Sequence, residues 1–161
     1  MSKHRFFRNI RDLKLIFMKN NKKYFIARPY ITKKEEQYVS EVLRSGVLSI
    51  GPKIKEFENK FAKFMGVKYA CAVSSGTAGL HLTMIAAGIK PGDEVITSPF
   101  SIVASANSIL YVGAKPVFVD IDPVTYNMDP LLIEKKINKK SKAILIVHFL
   151  GEAADMDPIL K

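Results

Sequence analysis

The residues best suited to chemistry are Ser74-Ser75-Gly76-Thr77-Ala78-Gly79-Leu80-His81-Leu82. A run that reads as a buried strand, Val67-Lys68-Tyr69-Ala70-Cys71-Ala72-Val73, precedes them, and residues 78–87 carry a helical pattern closed by Gly88. The pattern predicts a strand, a tight turn and a helix that starts at once. The first turn of a helix presents unpaired backbone N–H groups and a partial positive charge, which makes it an anion site suited to phosphate. Gly76 allows close backbone approach, and Ser75 or Thr77 can add a hydroxyl donor. The same residues also describe an ordinary helix cap, because serine and threonine fill that position widely. Both readings stand on the local pattern.

The elements around this turn alternate. Thr32-Lys33-Lys34-Glu35 is a capping box that starts a helix, with Val39, Val42 and Leu43 as its apolar face and Gly46 as its stop. After an irregular connector at residues 47–52, Ile54, Phe57, Phe61, Phe64 and Met65 recur at helical spacing up to Gly66, a face expected in the core. A turn at residues 89–93 leads to the short strand Glu94-Val95-Ile96-Thr97, broken by Ser98-Pro99. A helix is expected from Ile102 to Leu110, stopping near Gly113, then a strand at residues 115–120. Asp129-Pro130 caps another helix, with Leu132, Ile133 and Ile137 facing inward and Lys135, Lys136, Lys139, Lys140 and Lys142 facing solvent. Residues 143–148 form an apolar strand, as expected of a parallel strand covered on both faces. Asp157-Pro158 signals one more helix.

This alternation predicts an α/β chain with a mainly parallel sheet and right-handed crossovers. Ligands of such sheets sit at the carboxyl ends of the strands. Residues 74–77, 97–102, 120–122 and 148–151 should therefore line one crevice around a phosphate-bearing ligand.

Composition narrows the classes. The 161 residues are 48% hydrophobic and 25% charged, a globular balance. One cysteine excludes an intramolecular disulfide and offers no metal cluster, so no metal site is expected and a reducing cytoplasm fits. No apolar run approaches the ~20 residues of a membrane span. Although the net charge is +10, residues 1–24 hold eight basic side chains against Asp12 alone, which leaves +3 for the other 137 residues. The basicity marks an N-terminal extension rather than a folded nucleic-acid surface. That extension reads as a basic arm, as an amphipathic helix with Phe6, Ile10, Leu13 and Phe17 on one side, or as sequence upstream of a start at Met18. It has no apolar core of a secretory signal.

Several short motifs occur in one order: Ser49-Ile50-Gly51-Pro52 followed by Phe57-Glu58; Ser75-Gly76-Thr77-Ala78; Pro91-Gly92-Asp93-Glu94-Val95-Ile96; Gly113-Ala114-Lys115-Pro116-Val117-Phe118-Val119-Asp120; and Val147-His148 with Asp155-Met156-Asp157. Together, over residues 26–161, they resemble the DegT/StrS family of pyridoxal-phosphate-dependent aminotransferases, which act mostly on nucleotide-linked keto-sugars. The resemblance implies a fold type I architecture, with residues 25–161 as an incomplete, N-terminal part of the cofactor-binding large domain. It implies pyridoxal 5'-phosphate as cofactor, an amino-acid donor such as glutamate, and a homodimer. Gly76 and Thr77, with Ser75 beside them, match the family's phosphate contacts. Ile102 stands where the family usually places an aromatic ring on the pyridine, so stacking is lost there and Phe100 is a candidate to compensate. Phe100 reads equally well as a core or substrate-wall residue. His148 ends a strand that should approach the cofactor ring, and reads nearly as well as a structural histidine. Asn107 and Glu152 lie on pocket-forming segments without an assigned role. His81, Cys71 and the methionines read as helix, strand and core residues.

The family's reaction needs a lysine that holds the cofactor as a Schiff base and moves a proton, and a carboxylate against the pyridinium nitrogen. The family's Glu-Asp-Ala-Ala-Gln-type and Ser-x-x-x-Lys-type motifs do not occur here, and Asp155 and Asp157 precede where the first would stand. The resemblance therefore places both groups beyond Lys161. It leaves open a sugar dehydratase of the same family, with histidine at the lysine position, and a non-catalytic product. A chain with only about four strands of its sheet should carry an unpaired edge and uncovered apolar faces.

Overall fold

A computed structural model describes residues 27–161. The basic extension, its candidate helix and the alternative start lie outside the described residues. The chain divides into two compact units at Lys55 and Glu56, and each is taken by itself.

In the first unit, helix α1 (Lys33–Ser45) begins as its capping box dictates. Thr32 Oγ1 accepts from the Lys34 N–H, and the Glu35 carboxylate accepts from the Thr32 N–H and hydroxyl. The Thr32 hydroxyl, followed by its N–H, holds the Glu35 carboxyl below the usual carboxylate range. Gly46 ends the helix at φ 71°, a conformation that costs a glycine nothing.

Helix α2 (Pro52–Met65) runs across the boundary and stops at Gly66. Its expected core face is not a core among the described residues. Ala62 is its one buried residue, while Ile54, Phe57, Phe61, Phe64 and Met65 are exposed, Phe64 to 84%. Helical spacing is a local property, whereas covering the face needs a partner element, and none of the described residues supplies it.

The second unit is built on a parallel sheet. Strand β1 (Glu94–Thr97) lies between β2 (Lys115–Phe118) and β3 (Ser141–Leu145), in the order β2-β1-β3. All four residues of β1 are buried, because it is hydrogen-bonded on both sides and covered on both faces. Val95 joins Met84, Ile89, Ile109 and Ala114 on one face, and Ile96 joins Val119, Met128 and Ile133 on the other. Helix α3 (Gly76–Ala86) brings Met84 and helix α4 (Ala104–Tyr111) brings Ile109 to the first cluster. Short helix α5 (Pro130–Ile133), capped by Asp129 with Pro130 at its start, brings Ile133 to the second. At the amino end of β1, Glu94 accepts from Asn138 Nδ2 at 2.8 Å and from Lys115 Nζ at 3.3 Å. The Asn138 amide, with Lys115 behind it, holds the Glu94 carboxyl below its ordinary range.

Several expectations need correction. Residues 67–73 are not a strand: they form no ladder with any described strand, and Val67, Tyr69, Cys71 and Val73 are exposed. An apolar run becomes a strand only beside another backbone, and no described segment pairs with this one. Three strands are therefore described, not four. The last of them ends at Leu145 and is half-buried rather than covered on both faces. Helix α5 is a single turn continued by a 3₁₀ turn, so Ile137 lies beyond it and is exposed. The Asp157-Pro158 signal yields a turn, closed by the Leu160 N–H on the Met156 carbonyl, rather than a helix. The lysine run is exposed as expected.

Candidate functional site

The strand order contains a switch point. The chain leaves β1 for β2 on one side and reaches β3 on the other, and parallel sheets open a crevice at such a reversal, outside the carboxyl ends of the strands. A cleft of about 890 Å³ lies there, lined by Phe100 after β1, Val124, Thr125 and Tyr126 after β2, and Phe149, Leu150, Gly151 and Glu152 after β3. Two of the four expected segments, 97–102 and 148–151, thus supply walls, and the third wall comes from residues 124–126, just past the expected 120–122. The fourth, residues 74–77, is not among the cleft's walls.

The walls are aromatic. The rings of Phe100 and Phe149 lie 4.8 Å apart, Phe100 and Tyr126 5.9 Å, and Tyr126 and Phe149 6.2 Å, all tilted, within the range of favourable ring pairs. Phe100 and Tyr126 remain 45% and 49% exposed, so each keeps a ring surface for a ligand. Ser98 Oγ accepts the Phe100 N–H at 3.1 Å and fixes the turn that delivers the ring. Thr97 Oγ1 donates to the Leu145 carbonyl at 3.1 Å, tying the ends of β1 and β3 beneath the cleft.

The loop after β2 is held by Asp122, whose Oδ1 accepts from the N–H groups of Val124 and Thr125 and from the Thr125 hydroxyl. The Thr125 N–H, then that of Val124, keeps this carboxyl below its usual range. Asn127, only 4% exposed, joins that loop to the turn after β3. Its Oδ1 accepts the Phe149 N–H at 2.8 Å, and its Nδ2 donates to the Glu152 carbonyl at 3.1 Å. The sequence reading passes over Asn127, because an asparagine after Thr-Tyr reads as a turn residue and nothing local reveals a partner twenty residues on.

The other expected residues fall as follows. Ser75 is the N-cap of α3, its Oγ accepting the Ala78 N–H at 3.1 Å. The Gly76 and Thr77 N–H groups have no hydrogen-bond partner among the described residues, and a Cβ placed on Gly76 would meet nothing within 4 Å. Unpaired N–H groups, open space and a helix axis behind them suit a phosphate group. His148 is exposed, precedes the cleft residue Phe149 and is not itself among the walls, and its Nδ1 accepts the Ala154 N–H at 3.0 Å. That bond puts the proton of the neutral ring on Nε2 and gives the side chain a structural duty. Ile102 is 71% exposed and does not line the cleft. Asn107 sits half-buried on α4, and His81, also half-buried, packs edge-on against Tyr111. The cleft walls carry one acid, Glu152, and no lysine. No group of three or more metal-ligating side chains occurs among the described residues, and no helix there is long and apolar enough to cross a membrane.

Comparison with known proteins agrees with this architecture. Residues 29–161 match the model of the DegT/DnrJ/EryC1/StrS aminotransferase family. The spore coat polysaccharide biosynthesis protein SpsC of Bacillus subtilis is 52% identical over 132 residues, which are 82% of this chain and 34% of that protein. GDP-perosamine synthase of Caulobacter vibrioides is 47% identical over 137 residues, 84% of this chain and 37% of that one. The structure of Spr1654 from Streptococcus pneumoniae in its PMP form matches with a TM-score of 0.77 at 38% identity, covering 82% of this chain and 33% of that one. The chain spans about a third of the length of the curated relatives it matches.

Proposed function

This chain belongs to the DegT/DnrJ/EryC1/StrS aminotransferase family, and we propose that it is part of a pyridoxal-phosphate-dependent enzyme that moves an amino group from an amino-acid donor, glutamate by preference, to a nucleotide-linked keto-sugar. The observation that carries this reading is the start of α3, where the Gly76 and Thr77 N–H groups stand unpaired beneath open space in a chain of this family. Relatives named for GDP-perosamine and for spore coat polysaccharide support the sugar substrate. We extend the proposal to a homodimer working in the cytoplasm, with residues 25–161 contributing part of its large domain.

Bound, the cofactor supplies an electron sink for the carbon that gains or loses the amino group. The chain's own residues bind and orient. Ser75 caps the first turn of α3, the Gly76 and Thr77 N–H groups would hold the phosphate, and the Thr77 hydroxyl could add a donor. Phe100, backed by Phe149 and Tyr126, would shield a bound ring from water, and Ile102 and His148 stand exposed outside the cleft walls. Nothing on the cleft walls can move a proton as an amine does, so amino transfer by residues 1–161 unaided is not expected.

The test is a titration of the purified chain with pyridoxal 5'-phosphate, followed by absorbance and repeated with inorganic phosphate as competitor. Saturable binding that phosphate displaces, with no amino transfer from glutamate to a nucleotide keto-sugar, is the expected result. Binding indifferent to phosphate would remove the role given to α3, and turnover by the chain would refute its proposed dependence on groups it lacks.

A further inference from the structure

We propose that Asn127 is a positioning residue, a latch that closes the turn after β3 onto the loop after β2 and thereby sets the shape of the cleft. The inference goes beyond the cofactor reading in naming a residue outside the ligand contacts, and rests on that reading only for the cleft's use.

The argument begins with what the amide can do. Asn127 meets a pure donor, the Phe149 N–H, with its oxygen, and a pure acceptor, the Glu152 carbonyl, with its nitrogen. Both ends of the turn at residues 149–152 are therefore held by one side chain, and an amide satisfies both at once at neutral pH, where a carboxylate could only accept. The Asn127 side chain is buried, so its own amide has little water to replace either bond.

The backbone on each side is unfavourable without such a hold. Tyr126 at φ 59° and Leu150 at φ 50° occupy the left-handed region, which side chains other than glycine's seldom adopt. Of the three non-glycine residues with positive φ among the described residues, these two line the cleft, one on each side of the latch. Strain of this kind persists where the surroundings over-determine it. Asn127 lies next to Tyr126 in sequence and bonds to Phe149, next to Leu150. Through these neighbours it fixes the Tyr126–Phe149 ring pair, and the Phe149 ring rests on Phe100.

The experiment compares Asn127→Ala and Asn127→Asp with the parent chain by residue-resolved hydrogen exchange, near-ultraviolet dichroism and pyridoxal 5'-phosphate titration. Asn127→Ala should speed exchange of the Phe149 N–H roughly fivefold to tenfold, the equivalent of one net hydrogen bond, while protection of Val95, Ile96 and Thr97 is unchanged. Asn127→Asp keeps the acceptor but, when ionised, loses the donor to Glu152. Its aromatic dichroism should differ from the parent's at neutral pH and return toward it in acid, when the protonated carboxyl donates again. The parent is followed over the same range to subtract the titration of His148 and Glu152 on the turn, Asp120 and Asp122 on the loop, and Asp129 at the start of α5. A residue that merely supports the fold would not be rescued by acid, and its loss would speed exchange in β1 as well. Either of those results, or an unaltered Phe149 N–H, overturns the latch. Should the parent itself fail to bind pyridoxal 5'-phosphate, the cofactor reading falls, and the exchange and dichroism results still decide the latch. Should Asn127→Ala not fold, the acid rescue of Asn127→Asp decides it.

Discussion

Replacing Gly76 by aspartate should push stability and ligand binding in opposite directions, and the structure gives both signs. A Cβ at this position has nothing within 4 Å, so the new side chain costs no repacking. Gly76 is the first residue of α3, where leaving glycine gains a few tenths of a kcal/mol in helix propensity. A carboxylate in the first turn gains about 0.3–1 kcal/mol from the helix dipole. The fold should therefore become more stable by about 0.5–1.5 kcal/mol. A phosphate over the same N–H groups would meet that carboxylate at about 4 Å, where two unit charges repel by about 1 kcal/mol in water and about 4 kcal/mol near a protein surface. Binding of pyridoxal 5'-phosphate should weaken by roughly fivefold to a thousandfold, and less at high salt. Thermal melting and absorbance titration, run on the same samples with Gly76→Ala as the uncharged control, read the two effects separately. An aspartate variant that binds as tightly as the parent would refute the assignment of phosphate to α3. One that loses binding and stability together would refute the claim that the position is structurally free.

Ile109 is fully buried between α4 and the sheet, so Ile109→Ala should cost about 2–5 kcal/mol, read as a lower urea midpoint with an unchanged slope. Glu94 titrates below its ordinary range in the folded chain because Asn138 and Lys115 stabilise the carboxylate. Its contribution is therefore complete above the ordinary glutamate range and declines as pH falls through that range toward the lower folded value. Urea midpoints followed from pH 7 into acid should show this loss, and Asn138→Ala should shrink it; an unchanged pH profile in that variant would disprove the pairing. Phe64 is exposed on α2, so Phe64→Glu should reduce light scattering of concentrated samples without lowering the melting temperature, whereas a lower melting temperature would mean that the ring is covered in solution.

The elements that could be read from the sequence are those whose signals are local. The Thr32–Glu35 box, the stop at Gly46 and the Asp129-Pro130 start act within one turn of backbone, and each falls where it was expected. Strand β1 was legible because four buried residues between a Gly-Asp turn and Ser-Pro leave little alternative. Residues 67–73 carry the same kind of apolar run, but a strand is a relation between two backbones, and no composition rule supplies the second. The face of α2 fails for the same reason: its spacing is right, and its cover is not in the described residues. At the site, Ser75, Gly76 and Thr77 were legible as a helix start. Phe100 was legible as a residue at a strand end. The latch at Asn127 was not, since its two partners lie 22 and 25 residues away and only the fold brings them near.

These observations place the order of the site in β1. The strand is fixed at its amino end by Glu94 on Asn138 and Lys115, along its length by both neighbours, and at its carboxyl end by Thr97 on Leu145. Ser98 follows directly and sets the turn that carries Phe100. The cleft therefore inherits its geometry from the most constrained strand, and its two other walls are drawn to that reference by Asn127. Helix α3 is held differently. It reaches the core through Met84, in one cluster with Ile109 and Val95, and its first residue, Gly76, is exposed. A ligand bound at the start of α3 would engage a helix whose one buried residue is Met84. It would also stabilise the chain by linkage, in proportion to the logarithm of its concentration over its dissociation constant. The gain should appear as slower exchange in residues 74–78 rather than in β1, because a strand already closed on both sides and both faces has little freedom left to lose.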